Sequence, residues 1–343
     1  MRTALKLVVL SLAAGAATCA FAWSSPGHEV IGALASQMLS PKAKSVLNGD
    51  GTAQNPGLLR RHSLAAAATW ADCARSVVKN GETYTYMRSR YTPAACKDFE
   101  TPEEEALLED FAKRNWSTCA YLPGRPCYEA WHFTDIAVQR SKYDPTYVGA
   151  NSVDIVHAIN ACIAVLQGAK APPPFNIKDK SEALYLLAHF IGDIHQPLHV
   201  GALYLSPTGA LIDPDAAKPF DPKTGTAGGN AIAEGTGNMH SAWDGIAQSI
   251  STEGSPDMLA AAKQVAATPG PLSGWAGVWA SDTLLQSRKA FAHLSFTAGS
   301  GGKAWTVDTS ADPDYALNRA ELQKIQLERG GKRLADLLNA IWR

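Results

Sequence analysis

Eight stretches of this chain carry apolar residues at three- and four-residue spacing, and that period decides the class of fold. They cover residues 28–39, 63–79, 102–113, 152–167, 179–195, 238–251, 275–294 and 314–341. A helix with one buried face repeats its apolar residues in this way, whereas a strand alternates. The spacing therefore predicts an all-α protein. Asp179 followed three residues later by Glu182 has the form of a capping box opening one helix, and Pro197 stops that helix. Residues 80–101 and 201–229 lack a period and are rich in Gly, Pro, Asp and Thr, which predicts long surface loops. The run Ala171-Pro172-Pro173-Pro174 lies close between helical segments and reads as a loop, not a domain linker. No repeat or low-complexity tract divides the chain. Its 343 residues, 46% hydrophobic and 18% charged, are expected to form one helical domain with a large core.

Residues 1–22 read as an export signal. Arg2 and Lys6 give a positive start, Leu7 to Ala17 a largely apolar run, and Ala20-Phe21-Ala22 the small-x-small cleavage pattern. Cleavage before Cys19 is disfavoured, because Ala16-Ala17-Thr18 is a poor lead-in for a lipoprotein signal. The apolar run is shorter than the ~20 residues a bilayer span needs. No stable membrane association is expected. Residues 23–343 would form the mature domain, starting at Trp23 and located in the periplasm or outside the cell. Without Arg2 and Lys6 the balance is 29 basic against 32 acidic residues, which argues against binding nucleic acid by bulk charge. A local grip on a single strand is still open to it.

Export favours disulfides. Cys73, Cys96, Cys119 and Cys127 allow two bridges in any of three pairings, while Cys162 lies in an apolar helical pattern and reads as a buried thiol. No Cys-x-x-Cys spacing exists, which excludes a thiolate zinc knuckle of that kind.

The chemistry concentrates in His189-Phe190-Ile191-Gly192-Asp193-Ile194-His195-Gln196-Pro197-Leu198-His199. On a helix, His189 and Asp193 project from one face a turn apart and can share a divalent cation. Pro197 then breaks the helix and lets His199 turn elsewhere. A single histidine in such a place is ordinarily a satisfied core residue; four candidate ligands in eleven residues point to metal. His240 and Asp244 repeat the four-residue spacing behind the Gly228-Gly229-Asn230 turn, a weak signal alone. His132 and Asp72 are further candidates. Asp72 and Arg75, three apart, would ordinarily be a surface ion pair, but Asp72 lies in an apolar stretch and would need a partner if buried. His28 stands five residues after Trp23, whose freed α-amino group and carbonyl could chelate a cation; the alternative is a Trp that plugs the core and a His that opens a helix.

This ordered series resembles the secreted, zinc-dependent, single-strand-specific nucleases and 3′-nucleotidases of the fungal S-one and P-one type. The resemblance runs from Trp23 to Asp244, about two thirds of the chain, and implies the helical fold shared with zinc phospholipase C, with three Zn2+ at the floor of a cleft. It implies one zinc held by Asp72, His132, His189 and Asp193. A second would take Trp23 and His28, with Asp193 shared as a bridge, and a third His199, His240 and Asp244. Oxygen and nitrogen ligands with open positions suit catalytic zinc. By the same resemblance, a water activated between the bridged cations attacks phosphorus, the third zinc steadies the departing 3′-oxygen, and Arg75 neutralises transition-state charge. Phe133 would stack a base and Asp135 would hydrogen-bond its edge; the bland reading is a core aromatic and a helix-face acid. Implied substrates are single-stranded DNA and RNA, cut to 5′-nucleotides, and 3′-nucleotides; a monomer is expected. His195 reads as a packing or supporting residue between the ligands.

The stretches between Asp72 and His132 and between His199 and Gly228 look longer than in the fungal proteins, which puts a second nucleotide site in doubt. Zinc phospholipase C is the nearest alternative. It has a longer gap from the amino-terminal Trp to the first His, and Glu where Asp244 stands. A non-catalytic helical protein stapled by zinc is the other, and it leaves Arg75 unexplained.

Overall fold

A computed structural model describes residues 23–52, 54–120 and 124–343; the expected export signal, residues 1–22, lies outside them. The chain runs α1 (Ser25–Gln37), α2 (Pro41–Asn48), α3 (Leu64–Ala67), α4 (Trp70–Ala74), β1 (Val77–Asn80), β2 (Thr83–Tyr86), α5 (Pro102–Asn115), β3 (Ile136–Ala137), α6 (Ile155–Leu166) and α7 (Lys180–Asp193). It continues through β4 (Gly201–Ala202), β5 (Ile232–Glu234), β6 (Gly237–Asn238), α8 (Met239–Asp244), α9 (Pro256–Lys263), α10 (Leu272–Ala290), β7 (Ser295–Ala298), β8 (Trp305–Asp308) and α11 (Tyr315–Ile341). Helices dominate, as the apolar period predicts.

The amphipathic faces meet in one large cluster that includes Trp23, Ile31, Leu34, Trp70, Phe111, Trp131, Ile159, Phe190, Trp279 and Leu334. At its centre α7 is buried from Glu182 to Asp193, so its polar residues must find partners inside the protein. α1 lies against α11 at a point where α11 carries Gly330 and Gly331. A Cβ at Gly331 would fall 2.6 Å from Leu34 Cβ, so bare backbone is what lets the two helices approach.

Three local readings are refined by the structure. The stretch 63–79 is not one helix: it breaks into α3 and α4 and then enters β1, where Val77 and Val78 prefer extended backbone. At the break the Ala68 carbonyl accepts from His189 Nδ1 at 2.8 Å, a bond to α7 in place of one within its own helix. Half of the expected capping box forms. The Asp179 side chain accepts from Glu182 N at 2.9 Å, but the Glu182 carboxylate accepts from Lys178 N and pairs with Arg114 instead of returning to Asp179. The last of the three is the helix expected over 238–251, which ends at Asp244.

The two aperiodic stretches are also more ordered than bare loops. In the first, β2 pairs with β1 as an antiparallel hairpin; in the second, β4 pairs with β3 and Tyr204 bridges Gly225. Outside both, β6-β5-β8-β7 form a small sheet in which β5 and β8 run parallel. The cysteines pair as Cys73–Cys96 and Cys119–Cys127, leaving Cys162 free and buried. Among the described residues no helix is long and apolar enough to cross a membrane.

Candidate active site

Two pieces of chain far apart in sequence are joined before any ligand is placed. Ile136 and Ala137 of β3 pair in parallel with Gly201 and Ala202 of β4, and Thr134 N–H donates to His199 O at 2.8 Å. This carries His132, Phe133 and Asp135 alongside His199. The last turn of α7 then presents His189 and Asp193, both fully buried, to the same point. His28 of α1 stacks on His189 with ring centroids 3.9 Å apart. Gly192 makes room for it: a Cβ there would lie 2.4 Å from His28 Nδ1.

The side-chain donor atoms fall into three groups, each within 4.8 Å: His28, His189 and Asp193; Asp72, His132 and His189; and His199, His240 and Asp244. All are buried. Asp193 is the hub. Its Oδ2 lies 3.0 Å from His132 Nδ1 and 3.1 Å from His189 Nε2, and its Oδ1 lies 3.4 Å from His28 Nε2. In the third group, His240 Nε2 and His199 Nε2 are 3.1 Å apart, with Asp244 Oδ1 3.6 Å from the former and 3.8 Å from the latter. Trp23 adds no side chain to these groups, yet the chain at that point is tied to the third by Ser24 N–H donating to Asp244 O at 2.8 Å. Trp23 itself is fully buried against Gly27.

These residues fit metal ions on grounds internal to the structure. In His189, His199 and His240 the Nδ1 meets a backbone carbonyl, of Ala68, His132 and Gly228 respectively, at 2.7–2.8 Å. That fixes the proton on Nδ1 and aims the Nε2 lone pair inward. Two such lone pairs facing each other at 3.1 Å repel unless a cation lies between or beside them. His28 has both ring nitrogens buried without a hydrogen bond, and Asp193 Oδ1 is likewise unpaired. Buried polar atoms left this way are costly, and cation coordination would satisfy them.

The electrostatics agree. Burial, with His189 beside it, pulls His28 down to about 4. Burial likewise lowers His132 and His240. At Asp193 burial opposes charge, but His189, His132 and His199 outweigh it and hold the carboxyl well below its ordinary range. His189 goes the other way: burial lowers it, but Asp193 and Asp72 beside it outweigh that and raise it. An ionised carboxylate with His28 and His132 held neutral against it is what a divalent cation needs. Asp244 is pushed the other way by burial, well above the carboxylate range.

Above the clusters is a cavity lined by Arg75, Arg125, Glu129, His132, Phe133, Asp135, Leu198, His199, Ala227, Gly228, Asn230 and His240. Arg75 reaches Asp72 Oδ1 at 3.5 Å, so the two form the expected pair, but at a cavity wall and not on an open surface. Burial raises Asp135 to about 6, opposed by His199 and a hydrogen bond from the Gly228 backbone. The structure thus gathers the side chains of His28, Asp72, Arg75, His132, Phe133, Asp135, His189, Asp193, His199, His240 and Asp244, but not those of Trp23 and His195. It also adds Arg125 and Glu129, which no local spacing marks, and brings in Gly228 and Asn230 of the turn noted ahead of His240. Gln196, too, goes unmarked by spacing, although it sits within the ligand-rich run; its Nε2 donates to Asp244 Oδ1 at 2.7 Å. His195 faces away from the clusters: its Nδ1 meets Ile191 O and its Nε2 meets Arg333 Nη1, on α11.

The S1/P1 Nuclease family model matches residues 23–343. The chain belongs to the S1/P1 nuclease family. That family is zinc-dependent and has the helical, zinc phospholipase C-like fold described above. Among curated relatives, Endonuclease 4 of Arabidopsis thaliana is 30% identical over 173 residues, covering 47% of this chain and 51% of that protein. Endonuclease 5 of the same plant is 24% identical over 239 residues, covering 65% of this chain and 67% of its own length. The match thus spans about half the length of the first relative and about two thirds of the second.

Proposed function

We infer that residues 23–343 act as one zinc-dependent nuclease domain, exported, that hydrolyses single-stranded DNA and RNA to 5′-nucleotides and removes 3′-phosphates from nucleotides. The observation that carries this reading is the convergence of three inward-facing His/Asp groups, two of them linked through Asp193, under a cavity walled by Arg75, Phe133 and Asp135. The proposed ligands are Asp72, His132, His189 and Asp193 for one Zn2+, Trp23 and His28 with Asp193 for a second, and His199, His240 and Asp244 for a third. Bound zinc supplies Lewis acidity, which activates water near neutral pH and offsets charge on a phosphoryl group.

The chain's own residues do the rest. Asp193 holds two groups in register through its separate oxygens. Arg75, oriented by Asp72, is placed to hydrogen-bond a phosphoryl oxygen as charge builds there. Phe133 offers a face on which any base can stack, and Asp135 accepts from a base edge. A duplex does not present a splayed base to such a wall, which accounts for a single-strand preference.

The test is hydrolysis by zinc-loaded protein of single-stranded DNA, a 3′-nucleotide and phosphatidylcholine in parallel, each with a chelated control. Chelator-sensitive release of 5′-nucleotides and of phosphate from the 3′-nucleotide supports the reading. Dominant lipid cleavage moves the chain to phospholipase chemistry on the same metal groups, and no product at all leaves a zinc-stapled scaffold.

A further inference from the structure

Beside the cleft, residues 75–91 hold four basic side chains (Arg75, Lys79, Arg88 and Arg90) and one acid, Glu82, in a chain that is acidic overall. Tyr84, Tyr86 and Tyr91 are interleaved with them. Three of the seven large apolar or aromatic side chains exposed among the described residues fall here: Val78, Met87 at 56% and Tyr91 at 63%. Exposed apolar side chains gathered in one place mark a contact surface more often than chance scatter does.

The segment is continuous with the cleft and held still. Ser76, next to the cleft residue Arg75, accepts from Met87 N–H at 3.0 Å and shares a 2.8 Å hydroxyl bond with Thr92. The Cys73–Cys96 disulfide ties both ends of the segment together at α4. Arg88 is pinned to Glu100, which also accepts from Tyr86 Oη at 3.0 Å. Arg90 lies over the Tyr91 ring, 4.7 Å from its centroid, so a cation and an aromatic face are presented together at the rim.

We propose that the Met87–Tyr91 loop is a docking rim for the single-stranded chain beyond the nucleotide in the cleft, with Tyr91 stacking a base and Arg90 meeting a phosphate. Basic side chains interleaved with aromatic faces follow a single strand without reading its sequence. The inference rests on the nuclease reading above and extends it to longer substrates. On this proposal a dinucleotide is confined to the cleft, whereas a 20-mer extends to the rim.

The experiment compares KM on a single-stranded DNA 20-mer and on a dinucleotide, for zinc-loaded wild type and the double variant Arg90→Ala/Tyr91→Ala, with thermal unfolding to check the fold. The expected result is a KM about tenfold higher on the 20-mer and unchanged on the dinucleotide, with Tyr91→Phe retaining wild-type values because it keeps the stacking face. Arg90→Gln should also reduce the slope of log affinity against log salt by about 0.7. An unchanged 20-mer KM, or an equal loss on both substrates, overturns the rim while leaving the nuclease reading intact. Wild type that cleaves neither substrate overturns the nuclease reading and the rim with it.

Discussion

Gln196 closes a bond between the end of α7 and the end of α8: its Nε2 donates to Asp244 Oδ1 at 2.7 Å while its Oε1 accepts from Leu198 N–H. Both contacts are buried. One side chain thus sets the direction of the Asp244 carboxylate and shapes the turn that delivers His199, two of the three residues of one group. Removing such a support ordinarily costs about 10–100-fold in metal affinity. Gln196→Leu should therefore release zinc from the His199/His240/Asp244 group in a chelator competition well before the other groups empty. A release profile identical to wild type would show that Asp244 needs no such guide.

Asp193 touches two groups through different oxygens, so its loss cannot be local. Asp193→Asn keeps the shape but withdraws the charge that faces His132, His189 and His28. The variant is expected to bind fewer zinc ions by elemental analysis and to lose nearly all hydrolysis. Wild-type zinc content with wild-type turnover would remove Asp193 from the centre of the site.

What could be read from the sequence was what lies close along it. His189 with Asp193, and His240 with Asp244, are each one helical turn apart, so the period that defines the helix also aims the pair. Six of the eight periodic stretches became single helices for the same reason, each needing only its own apolar face to be covered; 63–79 broke into α3, α4 and β1, and 238–251 stopped at Asp244. The failures are non-local. Nothing in residues 232–234 announces a parallel partner at 305–306, so the small sheet was invisible. The break at Ala68 depends on His189, 121 residues later. Gln196 carried no signal because its partner lies 48 residues on, and Arg125 and Glu129 join the cavity only once the chain has folded around it. The cysteine pairing was open for the same reason: four thiols along a line carry no distances.

Glycine supplies a sharper test of the site, because Gly192 and Gly274 both sit in helices but in opposite surroundings. A methyl at Gly192 would enter the His28 ring, whereas around Gly274 nothing lies within 4 Å. Gly192→Ala should displace His28 and destabilise the protein by about 1–3 kcal/mol, the usual range for overpacking a filled interior. Gly274→Ala should be neutral or stabilise by about 0.5–1 kcal/mol, since alanine loses less entropy on entering a helix. Urea unfolding of the two variants should move in opposite directions; if both move alike, the close packing of His28 on α7 is wrong.

Phe133 lies on the cavity wall next to a ligand, so its loss should separate binding from chemistry. Phe133→Ala removes a stacking face and leaves the ring of His132 held by Asp193. KM for single-stranded DNA should rise by the equivalent of about 1–3 kcal/mol, with kcat little changed. A fall confined to kcat would assign Phe133 to positioning the metal ligands instead.

His28 gives the metal-free protein a pH dependence whose sign can be worked out. Its ordinary value is 6.5 and burial, then His189, lowers it to about 4. The folded state therefore holds His28 neutral where the unfolded chain would protonate it. The stability that follows is fully present above about pH 6.5 and is lost as pH falls from there through about 4, roughly 3 kcal/mol in all. The same protons compete with cations for the ring, so acid should empty the site and weaken the fold over one interval. Urea unfolding of the chelated protein at pH 7, 5.5 and 4.5 should show wild type losing stability more steeply than His28→Gln, which has nothing to titrate there. Parallel pH profiles for the two would mean that His28 is solvated in the folded state, and the buried ring facing Asp193 would have to be abandoned.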